Sequence, residues 1–262
     1  MRLTIIGSAG STAGPHSPAS CYLLEADADG RTWRLILDLG SGAIGPLQQY
    51  CNPTRVDGVL ISHGHPDHCA DLGALSVLRR YGPDRGARLP RLNLFGPPGI
   101  DRRILEIGGD TGPEATYDDL SEFDFTALQH GARVSLGPFD ITAARAFHPV
   151  PALAYRIEGP SPFEGRASVV FTGDTDRCAE VDELARGCDM LLGEAGWAHR
   201  WENPPGIHMN GDQLGRLAVA SGATTTVVTH IASWVPPAET MAQVHLHVPG
   251  AALAVPGQVH EV

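Results

Sequence analysis

Short apolar runs closed by Gly, Pro, Asp or Ser recur along the chain and define its framework. Leu3 to Ile6 reads as a strand. Cys21–Ala26 and Trp33–Leu37 read as a hairpin closed around Asp27-Ala28-Asp29-Gly30. Val56 to Ile61 reads as a buried strand, and beyond it the apolar period changes. Leu72, Leu75 and Leu78 predict a helix from about Cys69 to Arg80 with its apolar stripe on a sheet. Arg91–Phe95 is a further strand. From Phe123 the pattern is strand-rich, with runs at Phe125–Leu128, Phe139–Phe147, Leu153–Ile157 and Ser168–Phe171. A helix from about Cys178 to Arg186 stops at Gly187, and Met190–Leu192 is a buried strand ending in Gly193-Glu194. Asn210 or Asp212 caps a helix whose inner face is Leu214, Leu217 and Ala218, and Gly222 ends it. A strand at Thr224–Val228, a helix at Ala238–His245 and a strand at Ala251–Val255 follow.

Strands alternate with helices toward both ends, while hairpin-like strands dominate the middle. This predicts two mixed sheets packed face to face with helices outside, in one domain spanning 1–262.

Composition narrows the function. Apolar residues make up 42% of the 262, and 31 Gly and 21 Pro imply many tight turns. A net charge of -11 argues against a general nucleic-acid binder, which needs basic surface to displace counterions. All 19 basic residues are Arg, so Schiff-base chemistry and P-loop nucleotide binding are excluded. Five scattered Cys without a CxxC pair point to neither a disulfide framework nor a thiolate zinc site. The N-terminus lacks a signal-peptide pattern and no run is long enough for a membrane span, so a reduced, soluble, cytoplasmic protein is expected. Arg79, Arg80, Arg85, Arg88, Arg91, Arg102 and Arg103 precede Glu106, Asp110, Glu114, Asp118, Asp119, Glu122 and Asp124. The two runs balance, which favours mutual neutralisation over a phosphate-steering patch.

The densest chemistry is Ile61-Ser62-His63-Gly64-His65-Pro66-Asp67-His68, directly after a buried strand. His63, His65 and His68 offer imidazole nitrogens and Asp67 a carboxylate, a mixed set that suits zinc or another divalent transition metal. His63 and His65 can converge on one ion, whereas the adjacent Asp67 and His68 diverge toward a second. His148, Asp174, Glu194 and His230 also stand at or just past predicted strand ends, where all could meet at one edge. The Gly7–Pro18 loop reads either as a connection or as an anion cradle. Asp38 reads either as a turn cap or as a support for metal ligands.

His63-Gly64-His65-Pro66-Asp67-His68 resembles the HxHxDH signature of the metallo-β-lactamase-fold hydrolases, and His148, Asp174 and His230 follow in that family's order. The resemblance implies a four-layer αββα sandwich carrying two divalent metal ions, zinc first, with manganese or iron as alternatives. His63, His65 and His148 would bind one ion, and Asp67, His68 and His230 the other. Asp174 would bridge them with a hydroxide that attacks the substrate. The segment from Glu194 to His230, and that from Phe147 to Tyr155, are similar to ribonuclease Z. In that branch a Glu orients a His that protonates the leaving alkoxide; Glu194 and His208 take those places, with Met209 where the branch has a small hydroxyl residue. Only 25 residues separate His148 from Asp174, too few for the long tRNA-gripping arm of ribonuclease Z.

A closer similarity is to the atypical class II cyclic-nucleotide phosphodiesterases. It rests on Gly7-Ser8-Ala9-Gly10-Ser11, Ser17-Pro18-Ala19-Ser20, Arg79-Arg80-Tyr81, and Glu194-Ala195 followed by Trp197 and His199. This implies a hydrolase that converts 3′,5′-cyclic AMP to AMP, with Asp67, His208 and Glu194 catalytic and Ser11, His16 and His199 contacting substrate. The rival expectations are another phosphodiesterase or a ribonuclease Z-like RNA 3′-processing nuclease, and beyond enzymes a non-catalytic metal- or ligand-binding module. The expected partner is a small phosphodiester, with neither membrane nor nucleic acid; similarity to ribonuclease Z adds a homodimer as an option.

Overall fold

The computed structural model describes residues 1–87, 89–109, 119–198 and 202–262. Two seven-stranded mixed sheets carry the fold. In the first, the spatial order is Val259–Glu261, Arg2–Gly7, Cys21–Ala28, Arg31–Leu37, Gly58–Leu60, Leu92–Gly96 and Phe123–Ala127. In the second it is Ala252–Leu253, Thr225–Thr229, Met190–Glu194, Arg166–Phe171, Leu153–Pro160, Phe139–Arg145 and Arg133–Leu136. A two-stranded parallel ribbon joins Ala9–Gly10 to Ile231–Ala232.

The layers follow from the period-two alternation of strand side chains. Leu3, Ile5, Tyr22, Leu24, Leu35, Leu37 and Leu60 of the first sheet pack with Ile141, Tyr155, Ile157, Val169, Phe171, Met190 and Leu192 of the second. Their neighbours face outward: Ile6, Leu23, Ile36, Val59 and Ile61 meet Leu72 and Leu75 of the Asp71–Tyr81 helix and Ile100 and Ile104 of the Ile100–Gly108 helix. On the other flank Val170, Leu191 and Val228 meet Val181, Leu214, Leu217 and Val244, from helices Ala179–Ala185, Gly211–Ser221 and Pro237–His245. Strands apolar on both faces are what a sheet covered on both sides requires. The expected αββα sandwich is therefore the observed architecture.

Several boundaries differ from expectation. The helix expected from Cys69 is two, Pro66–Cys69 and Asp71–Tyr81, so Asp67 and His68 sit in a first helical turn. Asn210, not Asp212, caps the Gly211–Ser221 helix, in a capping box with Gln213. Strands Arg133–Leu136 and Val259–Glu261 and the Ile100–Gly108 helix are additions. In the arginine-rich stretch, Arg79 is buried with its guanidinium on the carbonyls of Thr54 and Pro90, and Arg102 and Arg103 pair with Glu106. That is neutralisation and backbone support. Arg88, Asp110, Glu114 and Asp118 lie outside the described residues.

One close approach ties the fold to the site. A Cβ on Gly40 would lie 1.9 Å from the carbonyl oxygen of Asp67. Gly40→Ala is therefore expected to push the Asp38–Gly40 segment off the histidine loop, costing roughly 1–3 kcal/mol of stability by analogy with overpacked cores. A denaturant midpoint unchanged from wild type would contradict this.

Candidate metal centre

Backbone bonds bring the strand ends together. Asp38 N donates to Leu60 O at 2.9 Å, and Leu39 N to His68 O at 2.8 Å. Leu153 N donates to Ser62 O at 3.0 Å and Tyr155 Oη to Ile61 O at 2.8 Å, joining the histidine loop to the turn that carries His148. His230 stands in the left-handed region (φ 56°), its amide donating to Ser8 O at 3.0 Å. Gly10 lies against it so closely that a Cβ there would be 2.3 Å from His230 O.

The side chains converge in two groups. His63 Nε2 and His148 Nε2 lie 2.9 and 3.2 Å from His65 Nδ1. On the other side His68 Nε2 is 3.0 Å from His230 Nε2, which is 3.2 Å from Asp67 Oδ2. Asp174 lies between them, with Oδ1 3.2 Å from His68 Nε2 and 3.3 Å from His230 Nε2, and Oδ2 3.7 Å from His63 Nε2. Three imidazole nitrogens about 3 Å apart suit ligands of one tetrahedral ion with metal–nitrogen bonds of roughly 2.0–2.1 Å, whose ligand atoms stand ~3.3 Å apart. Asp174 Oδ1 is buried without a hydrogen-bond partner, which also suits a site meant for a cation. The donors present therefore fit two divalent ions, with Asp174 able to serve both.

The supporting bonds fix which nitrogen faces inward. His68 Nδ1 donates to Asp38 Oδ2 at 2.6 Å, leaving Nε2 for the cluster. His63 Nδ1 lies 3.1 Å from Ser62 Oγ, whose hydroxyl donates to the same Asp38 oxygen at 2.9 Å. His148 Nδ1 donates to Ile207 O at 2.8 Å. Asp38 Oδ1 accepts from Ser62 N at 2.7 Å, so this buried residue holds the candidate ligand histidines and is more than a turn cap. Asp38→Asn would place an amide donor against His68 Nδ1–H or Ser62 N–H. It is expected to weaken metal retention about 10- to 100-fold, read by competition with a chelator; unchanged retention would contradict the role.

The charges are arranged for cations. Burial holds His63, His65 and His148 below the usual imidazole range and so keeps them neutral, the form that ligates. Burial pushes the Asp67 and Asp174 carboxyls up, but the surrounding histidines pull both well below the carboxylate range. Burial alone would lower His68; the carboxylates of Asp174 and Asp38 raise it well above its usual value. Asp67 and Asp174 have only histidines as ion-pair partners among the described residues.

Glu194 and His208 stand beside this cluster. His208 Nδ1 is 3.1 Å from Glu194 Oε1 and 3.8 Å from Asp174 Oδ2. Glu194 also accepts from Thr175 N at 2.9 Å, Gly196 N at 2.7 Å and Met209 N at 3.3 Å. Burial alone would lower the His208 pKa, but the charge and hydrogen bond of Glu194, with Asp174, raise it to about 9. Trp197 meets the His208 ring edge-on at 5.3 Å. Met209 is fully buried in the apolar layer under the Gly211–Ser221 helix, so its side chain serves packing.

The expected substrate contacts fare differently. Ser11 N lies 3.4 Å from His230 Nε2, at the edge of the cluster, with φ 63°. His16 is exposed and lines a cavity of about 240 Å³ with Pro15, Val235, Leu253 and the two neighbours of His230, Thr229 and Ile231, but with none of the candidate ligands. His199 lies outside the described residues. Nothing in the sequence marks Ser62 as a contributor beyond its place next to the first candidate ligand. No helix among the described residues is long and apolar enough to cross a membrane.

The profile described as a beta-lactamase superfamily domain matches residues 34–231. An uncharacterized protein of Mycobacterium leprae, ML1173, is 40% identical over 236 residues, covering 89% of this chain and 78% of its own length. Ribonuclease Z of Mycolicibacterium gilvum is 28% identical over 225 residues, covering 78% of this chain and 75% of its own. The crystal structure of the metallo-beta-lactamase fold protein YhfI from Bacillus subtilis superposes with a TM-score of 0.83 at 26% identity, over 100% of this chain and 99% of that one. With that match and this buried His/Asp cluster, the chain belongs to the beta-lactamase superfamily and is a metallo-hydrolase of it.

Proposed function

We propose that residues 1–262 work as one unit that hydrolyses a small cyclic nucleotide, 3′,5′-cyclic AMP first, to the open monophosphate. The observation that carries this reading is the Glu194–His208 pair set beside Asp174: a histidine held as a proton donor next to a cation site. Similarity to a ribonuclease supports phosphodiester chemistry. The net charge of -11 and the lack of Lys speak against a long polyanion and for a small substrate.

His63, His65 and His148 would hold one divalent ion, and Asp67, His68 and His230 a second, with Asp174 shared. When bound, such ions supply Lewis acidity at the phosphoryl oxygens and a water that ionises near neutral pH. The chain's own task is the leaving group. As the P–O3′ bond breaks, His208 gives its proton to O3′ while Glu194 holds the opposite ring nitrogen and steadies the imidazolium. Water provides the oxygen of the new P–O bond; one of its protons restores His208 and the other stays on the phosphate monoester or passes to solvent. Ser11, His16 and His199 are proposed to meet the substrate, in a cytoplasmic and optionally dimeric protein.

The test is to incubate metal-reconstituted protein with 3′,5′-cyclic AMP, 2′,3′-cyclic AMP and bis(p-nitrophenyl) phosphate, using Asp174→Ala as the control. Turnover of the first is expected to exceed that of the second. Hydrolysis of the p-nitrophenyl ester alone would leave a phosphodiesterase of another substrate, and turnover of none would leave a binding module.

A further inference from the structure

One carboxylate outside the candidate ligand set fastens the His208 loop to both neighbouring loops. Asp176 Oδ2 accepts from Gly206 N at 2.9 Å, and Oδ1 accepts from Gln213 Nε2 at 2.8 Å and Arg177 N at 2.7 Å. Gln213 in turn closes the capping box with Asn210. Gly206 and Asn210 each stand two residues from His208, so Asp176 grips the segment on both sides. Its own amide donates to Phe147 O at 2.9 Å, next to His148. The Phe147 ring covers Gly206, where a Cβ would lie 2.8 Å from it and where φ is 78°.

We propose that Asp176 is a positioning residue that sets where His208 stands relative to Asp174. The inference rests on the reading of His208 as proton donor. Among the described residues every hydrogen bond of the Asp176 carboxylate is accepted from an N–H: Gly206 N ahead of His208, Gln213 Nε2 beyond it in the helix that Asn210 caps, and its own neighbour Arg177 N. Without it the Gly206–Asn210 stretch keeps its bonds to Glu194, His148 and Trp197 and its capping box, but loses the direct hold on Gly206 and the brace on Gln213. A donor misplaced in this way fails in proportion to the basicity of the leaving oxygen: a ribose alkoxide needs the proton, p-nitrophenolate does not.

The experiment compares 3′,5′-cyclic AMP with bis(p-nitrophenyl) phosphate in Asp176→Ala, Asp176→Asn, Gly206→Ala and His208→Ala. Asp176→Ala is expected to lower kcat on the cyclic nucleotide about 10- to 100-fold with KM nearly unchanged. On the p-nitrophenyl ester its loss should be at most about threefold. Gly206→Ala, which disturbs the same clasp from the other side, should show the same split. Asp176→Asn, keeping one acceptor oxygen, should fall between it and wild type. Equal losses on both substrates, or no loss on either, would overturn the inference. Should His208→Ala itself show no split, the donor reading has failed and the role of Asp176 falls with it.

Discussion

Asp174→Ala is expected to remove about a thousandfold or more of kcat/KM on any phosphodiester the protein turns over. Asp174 has one oxygen near each group of imidazoles, and an alanine can reach neither. The loss corresponds to roughly 4 kcal/mol of transition-state stabilisation, the several kcal/mol that a positioned pair of ions provides. Folding should survive, because the carboxylate is buried without a hydrogen bond to Oδ1 and its removal leaves no new unpaired donor besides the histidines. The check is kcat/KM beside a thermal melt. A folded variant with activity within tenfold of wild type would show that Asp174 is not shared between two ions.

The second large effect is expected at His208. Its replacement by alanine should lower kcat on a cyclic nucleotide by about 10²–10⁴, the usual contribution of a positioned acid, while metal content stays unchanged. The protonated ring is the active form, so activity in the wild type should fall as pH rises through the His208 pKa. Glu194 places that limb on the alkaline side of the ordinary imidazole range. The limb should vanish in His208→Ala. Glu194→Gln should move it toward lower pH, because the neutral amide no longer stabilises the imidazolium. A pH–rate profile identical in wild type and His208→Ala would remove His208 from the mechanism.

The sequence made the candidate ligand set legible because its members sit just past apolar runs, where a strand must end. His148, Asp174 and His230 follow strands Phe139–Arg145, Arg166–Phe171 and Thr225–Thr229, all in the second sheet, while the histidine loop follows Gly58–Leu60 in the first. Two face-to-face sheets with helices outside were legible in the alternation of strands and helices toward both ends and the hairpin-like strands between them, and the four-layer αββα order in the family resemblance. The supporting residues were legible only in part, Asp38 as one of two open readings and Ser62 and Asp176 not at all. Asp38 adopts φ 54°, and its bonds to His68 and Ser62 depend on a backbone path that a three-residue stretch of Asp-Leu-Gly does not announce. Asp176 reaches residues 30 and 37 positions away, a pairing with no local period. The Ile100–Gly108 helix was hidden for another reason. Ile100 and Ile104 form its buried stripe, but Arg102, Arg103 and Glu106 between them read as a charge run.

Metal analysis of the purified, reconstituted protein, joined to anomalous diffraction at the metal edge, is the shortest route to the centre of this account. Two ions per chain are expected, one among His63, His65 and His148 and the other among Asp67, His68 and His230, with Asp174 between them. A protein that retains no metal under any loading condition, or density for ions away from these side chains, would contradict it.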